Sequence, residues 1–335
     1  MTVIRPVRLL AVAAALALAL SASPPAHAAD GGIAWSVQTA DNANGTGRAN
    51  FAYTVDPGAV VSDTMIVVNT GTEPLPLSVY AADAFTTASG EIDVLADGTT
   101  SRDAGTWVAV ARTSLDLAPG QSAEIPFTLT VPADARPGDH SAGIVTSLTS
   151  QDAASSLSVE RRLGTRITLR VAGDLVPAAS ITAVTARYEG SWNPFESGRV
   201  VVQYALQNTG NTRLTGVEAL TVDGIAPAAA ARTQLPEILT GSTIEVTREI
   251  PAFSLGWLGG RVAIEPEGVG LGTGVVAPLV AEYGVVAPPW SLYALIVATI
   301  GGVVVLVIVA RRRAAGPRST TDTAEARDPE VAQAI

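Results

Sequence analysis

Residues 158–173 read SVERRLGTRITLRVAG, an alternation of apolar and polar side chains sustained over a long run. Val159, Leu163, Ile167, Leu169 and Val171 fall on one face; Glu160, Arg162, Arg166, Thr168 and Arg170 fall on the other. A period of two is that of an extended strand, whose successive side chains point to opposite faces. A strand with one dry and one wet face belongs to an antiparallel sandwich. The rest of the body follows suit. Residues 30–288 lack sustained helical periodicity and break into short β-rich runs separated by Gly, Pro, Asn and Asp. Strands are expected at 51–55, 64–71, 76–83, 106–111, 123–132 and 141–150, and, after a break at 172–180, at 180–189, 199–210, 216–224, 242–251 and 261–267.

The fold class that follows is all-β. A first immunoglobulin-like β-sandwich is expected over 33–172, a linker over 173–179 and a second sandwich over 180–286. The two units use similar signals. Each has a strand ending in Asn-Thr-Gly, at 69–71 and 208–210, where tolerance of positive φ by Asn and Gly is expected to turn the chain. Each later has a glycine-containing turn before a strand that ends in proline, LAPGQSAEIPFTLTVP and LTGSTIEVTREIP. With no cysteine, each unit must be held by its core alone.

The two ends read differently. At the N-terminus, Arg5 and Arg8 precede an apolar run over 9–20 and a small-residue site, AHA, at 26–28. This is the pattern of a secretory signal peptide over 1–28, and the small-residue site favours cleavage over an uncleaved anchor. Residues 290–310, WSLYALIVATIGGVVVLVIVA, carry no charge. As a helix they would cover ~31 Å, the thickness of a bilayer's hydrocarbon core. Pro288 and Pro289 precede the span, Trp290 and Tyr293 suit its interface, and Arg311, Arg312 and Arg313 follow it. The expected topology is a single-pass membrane protein of type I, with the body outside and 311–335 as a cytoplasmic tail.

Charge narrows the partners. All 21 basic residues are arginine and the net charge is −10. Between residues 30 and 288 there are 27 acidic residues against 14 arginines. Such a body has no general electrostatic footprint for nucleic acid, and an anionic polymer would need a local basic patch.

Candidate chemistry is sparse. Once a leader is removed, His140 in VPADARPGDHSAGIV is the sole histidine, directly after Asp139. A Ser-His-Asp arrangement would require it, and no Gly-x-Ser-x-Gly elbow is present. The Pro137-Gly138 turn gives the stretch an architectural reading instead, as the entry to a strand. One histidine and no cysteine leave no zinc site, and Asp93, Asp97 and Asp103 do not follow the spacing of an EF-hand loop. No catalytic residue, cofactor or metal is expected.

The binding candidates are an arginine row and a pair of aromatics. Arg162, Arg166 and Arg170 lie four residues apart on one strand face, about 13 Å between neighbours. They could engage carboxylates or phosphates bidentately, or pair with cross-strand acids. Trp192 and Phe195, in YEGSWNPFESG, sit in a loop; they could anchor a partner or plug the end of a sandwich. Trp107 reads as core rather than as a sugar platform, and Trp35 as either.

Three stretches together resemble a known family: YTVDPGAVVSDTMIVVNTG, APGQSAEIPFTLTVPADARPGDHSAGIV and RRLGTRITLRVAG. With the flanking leader, anchor and arginines, they are similar to the WxL-interacting proteins of Gram-positive bacteria, over residues 33–172 in particular. The second unit, with NPFESGRVVVQYALQNTGNTRL, looks like an actinobacterial counterpart of that family's second domain. The resemblance implies a cell-surface protein of two immunoglobulin-like domains, the first associated with peptidoglycan and the second with protein partners. The expected function is thus non-catalytic binding of peptidoglycan or another cell-wall polymer, or of another surface protein, by an ectodomain held at the membrane. The alternative is a structural spacer or assembly partner that works by β-strand or loop contacts.

Overall fold

A computed structural model describes residues 32–151, 158–224, 228–230, 232–270 and 276–314. The expected leader, 1–28, and tail residues 315–335 lie outside the described residues. In the first half run β1 (Trp35–Thr39), β2 (Phe51–Val55), β3 (Val60–Asn69), β4 (Leu75–Thr86), β5 (Ile92–Val94), β6 (Val108–Val110), β7 (Ser114–Leu117), β8 (Ser122–Thr130), β9 (Gly138–Gln151) and β10 (Ser158–Val171). In the second run β11 (Ala179–Glu189), β12 (Gly198–Asn208), β13 (Leu214–Asp223), β14 (Ala228–Ala229), β15 (Thr233–Ile238), β16 (Thr243–Ala252), β17 (Gly256–Gly268) and β18 (Leu279–Ala287). A single helix, α1 (Trp290–Ala314), follows.

The fold is all-β with one C-terminal apolar helix, and the strands form two immunoglobulin-like sandwiches. In the first, the sheet β1-β3-β8-β6 faces the sheet β2-β10-β9-β4-β5, with β7 also on β4. In the second, β11-β12-β16 faces β14-β13-β17-β18, with β15 also on β13. Pairing is antiparallel throughout except that β2 runs parallel to β10. Each sandwich has its own dry core. Phe51, Met65, Ile125, Leu129, Ile144, Ile167 and Leu169 fill the first; Val200, Val202, Leu220, Ile244, Val262 and Ile264 fill the second.

The period-two rule holds along most of these strands: every second residue is buried from Asp63 to Asn69 in β3 and from Leu214 to Val222 in β13. It needs correction on β10. Val159 and Leu163, expected on the dry face, are 50% and 40% exposed. β2 pairs β10 only over Ile167–Val171, and the first half of β10 is largely exposed even where β9 opposite it, at Thr146 and Leu148, stays buried. The expected strand at 106–111 also begins with a 3-10 turn, Ala104–Trp107. The Asp83 carboxylate accepts N–H groups from Arg102, Asp103 and Gly105 at 2.6–3.0 Å and holds that turn against β4.

The Asn-Thr-Gly triplets are one device used twice. Asn69 donates its side-chain N–H groups to the carbonyls of Glu73 and Leu117, and its Oδ1 accepts Gly71 N–H at 3.0 Å. Asn208 donates to the carbonyls of Thr212 and Ile238, and its Oδ1 accepts Gly210 N–H at 3.0 Å. Positive φ is not the reason for either glycine; the left-handed glycines lie instead at Gly120 and Gly241 in the following turns. The triplet glycines serve close approach. A Cβ on Gly71 would sit 2.3 Å from the Gly32 carbonyl oxygen, and one on Gly210 would sit 2.4 Å from that of Val176.

Candidate functional site

Adjacent residues of a strand face opposite ways, and this separates Asp139 from His140 at the start of β9. His140 turns toward the 3-10 segment. Its Nδ1 lies 2.7 Å from Asp103 Oδ1, its Nε2 is 2.9 Å from the Arg136 carbonyl, and its ring packs 4.7 Å from that of Trp107. Burial alone would push its pKa down, but the Asp103 carboxylate and the Arg136 carbonyl outweigh it and hold the imidazole above its ordinary value. Asp139 turns the other way and is fully buried. The two residues are neighbours in sequence with separate partners, and they form no dyad.

Asp139 sits at the centre of a joint between the sandwiches. Its carboxylate accepts Arg170 Nε at 2.7 Å and Nη2 at 2.8 Å, and Arg170 is its register partner across the β9–β10 ladder. From the second sandwich it accepts the Arg213 amide N–H at 2.9 Å. Burial pushes the Asp139 pKa up, but the Arg170 guanidinium and the Arg213 amide prevail and hold it below the ordinary value. Arg213 Nη1 in turn donates to Glu237 Oε1 at 2.7 Å, and Glu237 Oε2 accepts Arg166 Nη1 at 3.1 Å. The chain of charges therefore crosses the boundary twice.

Other polar contacts complete the joint. Arg170 also donates to the carbonyls of Val269 and Gly270. Thr86 is held on both sides: its N–H reaches Ser242 Oγ, its hydroxyl reaches the Glu237 carbonyl, and it accepts Leu239 N–H. Asn211 donates to the Pro137 and Asp174 carbonyls, while its own carbonyl accepts Asp139 N–H at 2.7 Å. Gly138 has φ +131° and packs so close that a Cβ would lie 2.2 Å from that Asn211 oxygen.

The arginine row thus has different roles. Arg170 belongs to the joint, and Arg166 belongs to both joint and groove. Arg162 and Arg166 line an open groove of about 330 Å³ on the first sandwich, with Asn50, Ile92, Asp93, Gly164 and Thr165. Arg162 donates to the Val94 carbonyl at 3.1 Å and to Asp93 Oδ2 at 3.3 Å. The acids that meet Arg162 and Arg166 come from β5 and from β15 of the other sandwich, not from a neighbouring strand of the same ladder.

Trp192 and Phe195 are 94% and 84% exposed, so they do not plug the end of the second sandwich. Their loop is locked from within. Ser191 Oγ accepts Asn193 N–H, Asn193 Oδ1 accepts Phe195 N–H, and the Asn193 carbonyl accepts Glu196 N–H, all at 3.1–3.2 Å. Trp35 is core, with its indole N–H on Thr146 Oγ1 at 2.9 Å. Trp107 packs against the first core. Asp93, Asp97 and Asp103 do not converge: they meet Arg162, the Gly98 N–H and His140 respectively.

Two buried carboxylates, Asp63 and Glu218, were not singled out by the sequence; Glu218 pairs with Arg248 at 2.8 Å. Asp63 accepts from Arg48, Tyr53, Asn42, Asn44 and its neighbour's N–H, which fastens the 42–48 loop to β3. Burial pushes its pKa up, yet Arg48, Tyr53, Asn42 and the Thr64 N–H hold it far below the ordinary value; burial and Asp63 together push the Tyr53 phenol far up. No local pattern links Asp63 to Arg48, because their meeting depends on the course of a loop.

No family model and no curated protein matches this chain. Solved structures of related shape include a chaperone–tip adhesin complex of CFA/I fimbriae, at 11% identity and a TM-score of 0.34, covering 74% of this chain and 98% of that one. The CsuC–CsuE chaperone–tip adhesin complex of Acinetobacter baumannii aligns at 10% identity and a TM-score of 0.34, covering 74% and 97%. The E. coli chaperone DraB aligns at 13% identity and a TM-score of 0.29, covering 75% and 98%. All three are distant similarities of shape.

Proposed function

We propose that this chain is a membrane-anchored surface protein that binds a cell-wall polymer without turning it over. The observation that carries the reading is the groove at Arg162 and Arg166. It brings two guanidinium groups, each with one acidic partner, to an open surface of an acidic body that otherwise repels an anionic polymer. Each guanidinium has five N–H donors in a planar fork, more than its single acidic partner uses. The groove lies on sheet strands of a packed sandwich, so its arginines are held in place before a ligand arrives. The ligand class, peptidoglycan or a related wall polymer, is part of the proposal and follows the resemblance to the WxL-interacting proteins. Helix α1 supplies the anchor: it is long and apolar enough to cross a membrane, none of its residues is buried, and Arg311, Arg312 and Arg313 close it.

A second reading is that of a structural spacer or assembly partner for other surface proteins. The joint around Asp139 favours it, since a buried, charge-paired boundary suits a rigid arm. Fractionated walls separate the two. The protein is incubated with purified, protein-free peptidoglycan and with walls that retain their proteins. Binding to the first that disappears after muramidase digestion supports the polymer reading. Binding only to the second supports the spacer, and release of soluble fragments would overturn both.

A further inference from the structure

Among the described residues of the two sandwiches, the exposed tryptophans and phenylalanines are Trp192, Phe195 and Trp257. All three lie at the end of the second sandwich from which the helix emerges. Trp257 is 65% exposed and pairs across β17–β18 with Val286, 74% exposed and just before the helix. Water-exposed aromatics gathered at one end call for a covering surface.

Two hydrogen bonds fix the level of this end against the helix. Ser291 Oγ donates to the Ser191 carbonyl at 2.8 Å, and Tyr293 OH donates to the Leu255 carbonyl at 2.6 Å. Trp290 and Tyr293 meet edge to face at 6.1 Å in the same turn. Tyr188, Trp192, Pro288 and Trp290 border one groove, so loop and helix start form a continuous surface. In a spanning helix, the first turn with its Trp and Tyr occupies the headgroup zone. Trp192 follows Ser191 directly and therefore stands at that depth.

We infer that the Ser191–Ser197 loop, with Trp192 and Phe195, is a second membrane contact that inserts its aromatic rings into the headgroup zone of the outer leaflet. The occupant is lipid because the loop is tied to the first turn of the span itself. The loop's internal hydrogen bonds present the rings without a further ordering step, as an interfacial anchor requires. The second sandwich then rests against the bilayer. This inference depends on the reading of α1 as a membrane span, and the test separates the two.

The chain has no cysteine, so a single introduced one takes a fluorophore uniquely. The full chain is reconstituted into phosphatidylcholine vesicles that contain lipids with a nitroxide near the headgroup or deep in the acyl chain. An environment-sensitive dye is placed in turn at Trp192→Cys, Phe195→Cys, Val304→Cys in the helix and Thr99→Cys in the first sandwich. The expected result is loss of fluorescence at 192 and 195 with the headgroup nitroxide, loss at 304 with the deep nitroxide, and none at 99. Quenching at 304 with none at 192 and 195 overturns the inference alone and leaves the loop for a protein partner. No quenching at any of the four positions overturns the membrane reading beneath it.

Discussion

Arg213 of the second sandwich meets Asp139 of the first twice, through an amide N–H at 2.9 Å and a guanidinium Nε 3.5 Å from the same oxygen. Asp139 has no exposed side-chain surface, and Arg170 occupies its other oxygen. A residue at the entrance of one strand thus bonds the two sandwiches to each other.

Replacing it tests that role. Asp139→Ala leaves the Arg170 guanidinium and the Arg213 amide without their acceptor, and breaking a buried pair from one side costs about 3–5 kcal/mol. In denaturant titrations of the full chain in detergent, the wild type is expected to unfold both sandwiches together. The variant is expected to show two separated transitions. A single unshifted transition would show that the joint contributes nothing.

The titrating groups give opposite pH limbs. Asp139 and Asp63 have folded pKa values below the ordinary carboxylate value. Their stabilisation is complete above that value and is lost as pH falls through the folded one. His140 is raised, so its contribution is complete below about 6.5 and is lost as pH rises through its folded value. Urea midpoints measured across pH should therefore decline at both ends. His140→Gln is expected to flatten the neutral-to-alkaline limb and leave the acid limb in place; an unchanged alkaline limb would refute the assignment.

The duplicated asparagines should behave alike. Asn208→Ala strips two buried carbonyls, and Asn69→Ala one, of their donor, at roughly 1–3 kcal/mol per unsatisfied group. Amide exchange should accelerate in the first sandwich for Asn69→Ala and in the second for Asn208→Ala. Uniform acceleration across both sandwiches in either variant would mean that the triplets do not act locally.

The arginines should not. Arg162→Ala is expected to weaken wall binding with little change in thermal midpoint, because its contacts are partly exposed. Arg170→Ala is expected to lower the thermal midpoint, since it uncovers the buried Asp139 charge. Pull-down and melting of both variants check this, and equal effects on both readouts would make the row one structural unit.

Much of the fold was legible because burial on one face writes a period of two into the sequence. That signal found β10, β12 and β13 with close boundaries. It missed β1, β5, β7, β14, β15 and β18, several of them only two to four residues long and too brief for a period to show. It also overreached at Val159 and Leu163, because alternation reports a strand and not what lies against it. The site was half legible. The spacing of Arg162, Arg166 and Arg170 shows that they share a face, but that Arg166 and Arg170 also reach the second sandwich depends on Glu237, Val269 and Gly270, some seventy to a hundred residues away in sequence. The exposure of Trp192 and Phe195 depends on a loop whose position is set by a helix about a hundred residues later.

The joint has a mechanical consequence. Arg166 lines the groove and also grips Glu237 across the boundary, while the second sandwich is hydrogen-bonded to the first turn of the helix. A load applied at the groove would reach the helix through β10, the Arg166–Glu237–Arg213–Asp139 chain and the second sandwich in series. If the spacer reading holds, Arg162 and Trp290 mark the two ends of that route, and the body would act as a strut between them.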